Sequence, residues 1–260
     1  MKNADAARAA AILRRHWDEG TRLKALPGDF RPRNREQGYS IQAHLGDDAN
    51  LFGWKIAATS IAGQRHINVA GPIAGRIFAD MVVANGGTCS LAGNSMRLAE
   101  AEFAFRMARD LPPRTKAYTT NEAIDAVGML HPAVELPDSR YEDVVQAGEA
   151  QILADDACAH RFILGPATMV DWRHMDLIEM HPVARVGDRY AREGHGANVL
   201  GDPREALAWL VNEISSLGLT LRSGMIVTTG TCCVPLDVRP DETLTVDYGP
   251  FGSVSVTFSA

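Results

Sequence analysis

Residues 95–111 read SMRLAEAEFAFRMARDL, and their period decides the fold. After Gly86-Gly87 the chain turns to an alternation of two, and this stretch carries it furthest. Successive side chains on a strand point to opposite faces, so Ala101, Phe103 and Phe105 share one face and Glu100 and Glu102 the other. One long, half-apolar strand in mid-chain calls for a sheet. Working outward, strands are predicted at 51–59 (LFGWKIAAT), 129–136 (MLHPAVEL), 162–165, 176–187, 225–231, 242–249 and 252–258. Helices are predicted at 4–19, from Asn34 to His44, over Ser60–Ile67, over Ile73–Met81, at 119–127 with Thr120 as a cap, and at 142–157. A strong one covers 202–218, with Asp202 at its N-cap, Pro203 at its first position and Gly218 closing it. The first helix could gather Ala7, Ala10, Ala11, Leu13 and Trp17 on one stripe. Helices and strands mix without a βαβ rhythm, which predicts an α+β fold with a largely antiparallel or mixed sheet. The expected organisation is one catalytic domain over 1–260, with 1–50 a mainly helical N-terminal segment.

Two carboxylates side by side next to an apolar layer repel each other. They need a cation, a shared proton or solvent. A solvent-facing strand edge is one way out. A hard divalent cation is the other, because oxygen ligands select Mg²⁺, Mn²⁺ or Ca²⁺. Glu135 is a third carboxylate, isolated in the apolar strand PAVELPD. Three carboxylates on a six-coordinate ion leave about three positions for water or a chelating 2-oxo acid.

Lys55 stands among Phe52, Trp54, Ile56, Ala57 and Ala58. Burial lowers a lysine pKa and would let it exchange protons near neutrality, whereas at a strand edge it would snorkel to water. Asp80, also in apolar company, is a candidate acid or base or an ordinary helix end. The loop Thr228-Thr229-Gly230-Thr231-Cys232-Cys233 offers hydroxyls and an N–H near Gly230 to a substrate carboxylate, or is a plain turn. Arg140 could pair with such a carboxylate. Asp138, Ser139, Tyr141, Asp155 and Asp156 read as turn and cap residues.

Several classes of function are disfavoured. The net charge is -6 and no Lys/Arg-rich run occurs, so nothing points to nucleic acid. No stretch approaches the ~20 apolar residues of a membrane span, and the N-terminus lacks the apolar core of a signal peptide, so a cytoplasmic protein is expected. The four cysteines form no C-x-x-C pair, and the eight histidines no H-x-x-x-H. Gly194-His195-Gly196 lacks the third glycine of a dinucleotide fingerprint.

Taken together, these segments resemble the 2-keto-4-pentenoate hydratase and 4-oxalocrotonate decarboxylase family, within the fumarylacetoacetate hydrolase superfamily. The stretches GWKIAATS (53–60), GPIAGRIFADM (71–81), AEAEFAF (99–105), HPAVELPDSRY (131–141), LADDACAHRFILG (153–165), 198–218 and 228–258 run in the family's order. The resemblance implies a mixed β-roll core with peripheral helices, Mg²⁺ or Mn²⁺ on Glu100, Glu102 and Glu135, an acid/base lysine at Lys55, an acidic loop residue at Asp80, and a homo-oligomer. Departures fall near the expected pocket: Asp155-Asp156-Ala157-Cys158 where the family often reads D-N-A-S, and Thr231-Cys232-Cys233 where a serine-rich turn is usual. The expected reaction is addition of water to a 2-hydroxy-2,4-dienoate, giving a 4-hydroxy-2-oxo acid. The alternatives are 4-oxalocrotonate-type decarboxylation, acylpyruvate-type C–C hydrolysis, or a metal-stabilised scaffold without turnover.

Overall fold

The computed structural model describes residues 1–260. Thirteen strands follow in chain order: β1 Leu51–Ala57, β2 Ile73–Phe78, β3 Val82–Val83, β4 Thr88–Ser90, β5 Leu98–Met107, β6 Val127–Leu136, β7 Arg161–Leu164, β8 Val183–Val186, β9 Tyr190–Glu193, β10 Ile226–Thr231, β11 Leu236–Asp237, β12 Thr243–Asp247 and β13 Ser253–Ser259. The helices are α1 Asn3–Asp18, α2 Arg35–Gln42, α3 Ile61–His66, α4 Thr120–Asp125, α5 Val144–Ala147, α6 Glu149–Ala154 and α7 Pro203–Ser216. The fold is α+β, as the alternation predicts.

The larger sheet runs β2-β1-β10-β5-β6-β7-β3, with β11 added to β5. It is mixed: β10 lies parallel to β1 and antiparallel to β5. The smaller sheet runs β4-β13-β12-β8-β9. The even-numbered side chains of β5 face away from the main core. There Ala104 and Ala133 join Ile77, Phe162 and Ile226 in a second, smaller apolar cluster. On the opposite face Ala101, Phe103 and Phe105 enter the main core.

Helix ends follow local chemistry. Asn34 caps α2 by accepting from the Gln37 N–H at 3.0 Å, Ser60 caps α3, and Asp202 caps α7. Thr119, not Thr120, caps α4, in a reciprocal capping box with Glu122. The buried face of α1 is Ala6, Ala9, Ala10 and Leu13, rotated from the expected stripe. The N-terminal helices are tied to the sheet through Gln42, whose amide donates to the carbonyls of Ala74 (2.8 Å) and Leu153 (3.2 Å).

Three expectations fail. Residues 73–78 are strand β2, not helix. All six are buried, so neither face is polar and the alternation that marks a strand is missing. The helix at 142–157 is broken at Gly148, whose φ of +82° no helix accepts, and ends before a left-handed turn at 156–158. Of the strand at 176–187 only Val183–Val186 pairs. No helix is long and apolar enough to cross a membrane.

Candidate metal centre

Backbone pairing builds the site. In the β5–β6 ladder Glu100 lies directly opposite Glu135, and Glu102 opposite Ala133. Glu102 follows Glu100 by one full strand period, so all three carboxylates project from one face. Their oxygens lie within 4.8 Å of one another. Glu102 and Glu135 are fully buried, and Glu100 keeps partial exposure.

Lys55 reaches the same place from β1, two strands away, where it pairs with Thr228 of β10. Its Nζ is 3.3 Å from Glu135 Oε2 and donates to the carbonyl of Ala157 at 3.2 Å. The side chain is 1% exposed, so the snorkelling alternative is excluded.

Glu102 is held from β10. A register shift between Thr228 and Thr231, with Gly230 at φ +89°, aims two donors at Oε2: the Thr228 hydroxyl and the Gly230 N–H, the latter at 2.9 Å. Only glycine fits there, because a Cβ would lie 2.4 Å from Thr59 Oγ1. The Tyr248 hydroxyl fixes the strand itself, donating to the Glu102 carbonyl at 2.7 Å.

Burial governs the charges. Desolvation pushes Glu102 up to about 7, Glu100 adds to the shift, and Lys55, Thr228 and the Gly230 N–H oppose it. Glu135 is driven well above the carboxylate range by burial, against the pull of Lys55. Glu100 also rises through burial, with Lys55 opposing. For Lys55, burial pulls downward but Glu135, Glu100 and Glu102 outweigh it, so the ammonium is held above its ordinary value. That reverses the simple sequence expectation of a lysine lowered by burial. The surrounding carboxylates decide the sign.

The donors fit a hard cation. Glu102 Oε1 and Glu135 Oε1 are buried without a hydrogen-bond partner, and Glu135 Oε2 has only the Lys55 ammonium at 3.3 Å. Buried carboxylate oxygens are normally satisfied. Three carboxylates and one ammonium leave two negative charges, which is the charge of one divalent ion. The oxygen-only donor set selects Mg²⁺, Mn²⁺ or Ca²⁺ over softer metals.

The other sequence candidates lie elsewhere or are occupied. Asp80 sits exposed in a short turn after β2, where its carbonyl accepts from Arg161. Arg140 is 3% exposed and committed. Its guanidinium donates to the Asp155 carboxylate and carbonyl and stacks 4.2 Å from the Trp17 ring. Most of its donors are thus engaged within the protein. The Gly230 N–H is spent on Glu102, and the Thr231 hydroxyl closes its own turn, donating to the Cys233 carbonyl at 2.7 Å. Both groups make these bonds within the chain. All four cysteines are free and buried.

Sequence reasoning missed Tyr248, offered Thr228 to a substrate rather than to Glu102, and read 155–156 as turn and cap without their burial. Asp155 and Asp156 do shape a turn, but both are buried. Burial pushes Asp156 up to about 7, against the Arg76 N–H and Arg140, and its Oδ2 has no partner. Asp156, Ala157 and Cys158 take φ values of +57°, +51° and +63° in succession. For residues with a Cβ this costs on the order of 1 kcal/mol each and persists only where the surroundings impose it.

No family model matches the chain. The chain is 30% identical over 258 residues, 96% of both chains, to 2-keto-4-pentenoate hydratase 1 of Dechloromonas aromatica (strain RCB). It is 29% identical over 230 residues, 88% of this chain and 82% of the other, to 4-oxalocrotonate decarboxylase of Pseudomonas putida. Among solved structures, 4-oxalocrotonate decarboxylase from Pseudomonas putida G7, complexed with magnesium and adipate, superposes with a TM-score of 0.88 at 25% identity, over 99% of this chain and 98% of that one. The likeness runs nearly end to end in sequence and in fold, and the chain belongs to the 2-keto-4-pentenoate hydratase and 4-oxalocrotonate decarboxylase family, of the fumarylacetoacetate hydrolase fold.

Proposed function

We propose that this protein is a hydro-lyase that adds water to a 2-hydroxy-2,4-dienoate, giving a 4-hydroxy-2-oxo acid, with Mg²⁺ or Mn²⁺ held by Glu100, Glu102 and Glu135. The observation that carries it is the convergence of three carboxylates, two of them fully buried and with unpartnered oxygens, beside a buried lysine. When bound, the ion supplies Lewis-acid polarisation of the substrate's 2-oxygen and a chelating anchor for its 1-carboxylate.

The chain's own groups do the rest. Lys55, fixed by Glu135 and the Ala157 carbonyl, offers its ammonium to the negative charge that builds on the 2-oxygen. In the first step a proton reaches C5 and the 2-hydroxyl proton leaves, so the dienol becomes a conjugated 2-oxo-3-enoate. In the second, water adds at C4, its hydroxyl staying there and a proton arriving at C3. Lys55, held as the ammonium by the three glutamates, is the buried group placed to give a proton, and it would take one back only with the glutamates' charge drawn off by a bound cation. Asp80 would assist only if its loop folded inward from the exposed position. The apolar residues Ile77, Ala104, Ala133 and Phe162 share the sheet face of the glutamates and keep bulk water from it. We further propose a cytoplasmic homo-oligomer acting on a small 2-oxo acid, without nucleic-acid or membrane partners.

Decarboxylation of a vinylogous 2-oxo acid passes through the same kind of dienolate, and the superposition on a decarboxylase favours it as the second reading. One paired assay separates them. The protein is incubated with Mg²⁺ and 2-hydroxypenta-2,4-dienoate while the dienol absorbance is followed, with and without EDTA, and 4-oxalocrotonate is run beside it with detection of CO₂. Metal-dependent loss of the first substrate is expected. Consumption of the second alone overturns the hydratase reading.

A further inference from the structure

The turn 156–158 packs against Lys55, and two separate segments, 75–76 of β2 and 138–140, impose its left-handed shape. Behind it, Asp155 is wholly buried and saturated. It accepts from Ser139 Oγ at 2.7 Å, from the Arg140 N–H at 3.0 Å, and from the Arg140 guanidinium. On one side Asp156 Oδ1 accepts from the Arg76 N–H of β2 at 2.7 Å. On the other, the Cys158 carbonyl accepts from the Asp138 N–H at 2.9 Å. Below it is Gly75, which pairs with Lys55 across the β1–β2 ladder. A Cβ at Gly75 would sit 2.3 Å from the Asp156 carbonyl oxygen and 3.1 Å from Lys55 Cδ. The glycine lets the turn settle onto the lysine stem.

The outcome of this enclosure is the Ala157 carbonyl, 3.2 Å from Lys55 Nζ. An ammonium has three N–H donors. Ala157 takes one and Glu135, 3.3 Å away, faces a second, which leaves one N–H with no partner named in the protein. In a right-handed turn this carbonyl would aim elsewhere.

We propose that Asp155, Ser139 and Gly75 are positioning residues for Lys55: they hold the left-handed turn whose Ala157 carbonyl sets where the ammonium points beside the metal centre. The role rests on the acid/base part given to Lys55 above, and the experiment separates the two.

Gly75→Ala and the milder Ser139→Ala are each made in the native chain and in Lys55→Ala. The hydration rate, Mn²⁺ affinity by calorimetry and melting temperature are measured in all. In the native background Gly75→Ala should lower kcat by about 10- to 100-fold, the scale of a misplaced catalytic group. KM should change less than about threefold, as for an interaction used in the transition state. Mn²⁺ affinity should hold. Ser139→Ala should fall in the same direction by less. In Lys55→Ala neither substitution should lower the residual rate further, because the group being positioned is gone. Equal losses in both backgrounds, unchanged kcat in both folded variants, or a parallel loss of Mn²⁺ affinity would each overturn the proposal. Should Gly75→Ala not fold, Ser139→Ala carries the same comparison. A native rate in Lys55→Ala alone would instead remove the lysine's own role.

Discussion

Lys55 Nζ and Glu135 Oε2 lie 3.3 Å apart with both side chains closed to solvent, a cation and an anion that neither could keep buried alone. The pair is embedded in excess negative charge from Glu100 and Glu102. Replacing Lys55 by Ala should therefore separate binding from turnover. Mn²⁺ should bind at least as tightly, because a competing cation has gone, while the rate falls by about 10²–10⁴, the usual worth of a positioned acid or base. Calorimetry and steady-state kinetics on one preparation check both, and an unchanged rate removes the lysine from the mechanism.

A metal that binds only the folded chain should stabilise it. At 100 times its Kd an ion contributes about 2.7 kcal/mol, which at about 2–4 °C per kcal/mol is a rise on the order of 5–10 °C in melting temperature. Calorimetric scans with Mg²⁺, Mn²⁺ or EDTA should show it. Glu102→Gln should abolish the rise and leave the metal-free protein no less stable, since an amide relieves the repulsion with Glu100. A rise that survives in Glu102→Gln would place the ion elsewhere.

The metal-free protein should grow less stable between about pH 5 and pH 7. Glu102 and Asp156 are each pushed up to about 7 from ordinary values of 4.5 and 3.8. Their carboxyls hold a proton more tightly folded than unfolded. Their contribution is therefore complete below the unfolded values and is lost as pH rises through 7. Melting temperatures in EDTA should fall across this window, and Glu102→Gln and Asp156→Asn should each flatten the fall. With metal present the dependence should reverse, because the ion displaces protons and binds better as pH rises. A flat profile in EDTA would count against both shifts.

Tyr248→Phe tests how firmly Glu102 is set. The lost hydroxyl donates to the Glu102 carbonyl and its ring packs edge-on against Phe103, with centroids 5.3 Å apart. The ring stays and the hydrogen bond goes, so urea unfolding should show a loss of about 1–2 kcal/mol. Metal affinity should weaken a few-fold through displacement of Glu102. Full affinity would show that Thr228 and Gly230 suffice to hold it.

The site was readable where its logic is local. Glu100 and Glu102 share a face because a strand repeats every two residues, and that needs only the sequence. Their meeting with Glu135 depends on register, which no single segment reveals. The oddity that betrayed Glu135 was a lone charge among apolar neighbours. The same signal at Asp80 leads to an exposed turn, which tolerates a charge equally. The fold followed the same divide. Caps and the long alternating strand were legible. β2 was not, because burial on both faces erases alternation, and its glycine serves a turn far along the chain. Asp155 and Asp156 resembled surface caps because nothing nearby in sequence announces that Arg140, Ser139 and the Arg76 N–H will surround them.

Strand β10 lies between β1 and β5 yet comes long after both, following β1 by more than half the chain. A ribosome releases β1, β2, β5 and β6 long before it, so the emerging protein has two ladder edges facing each other across an empty lane. Open edges of this kind recruit other chains. The late strand must slide into that lane, parallel to one bank and antiparallel to the other, and it brings Thr228 and Gly230 with it. The cation's cradle therefore waits on residues made late in the chain, and ion uptake would report that the newly made chain has sealed its own sheet.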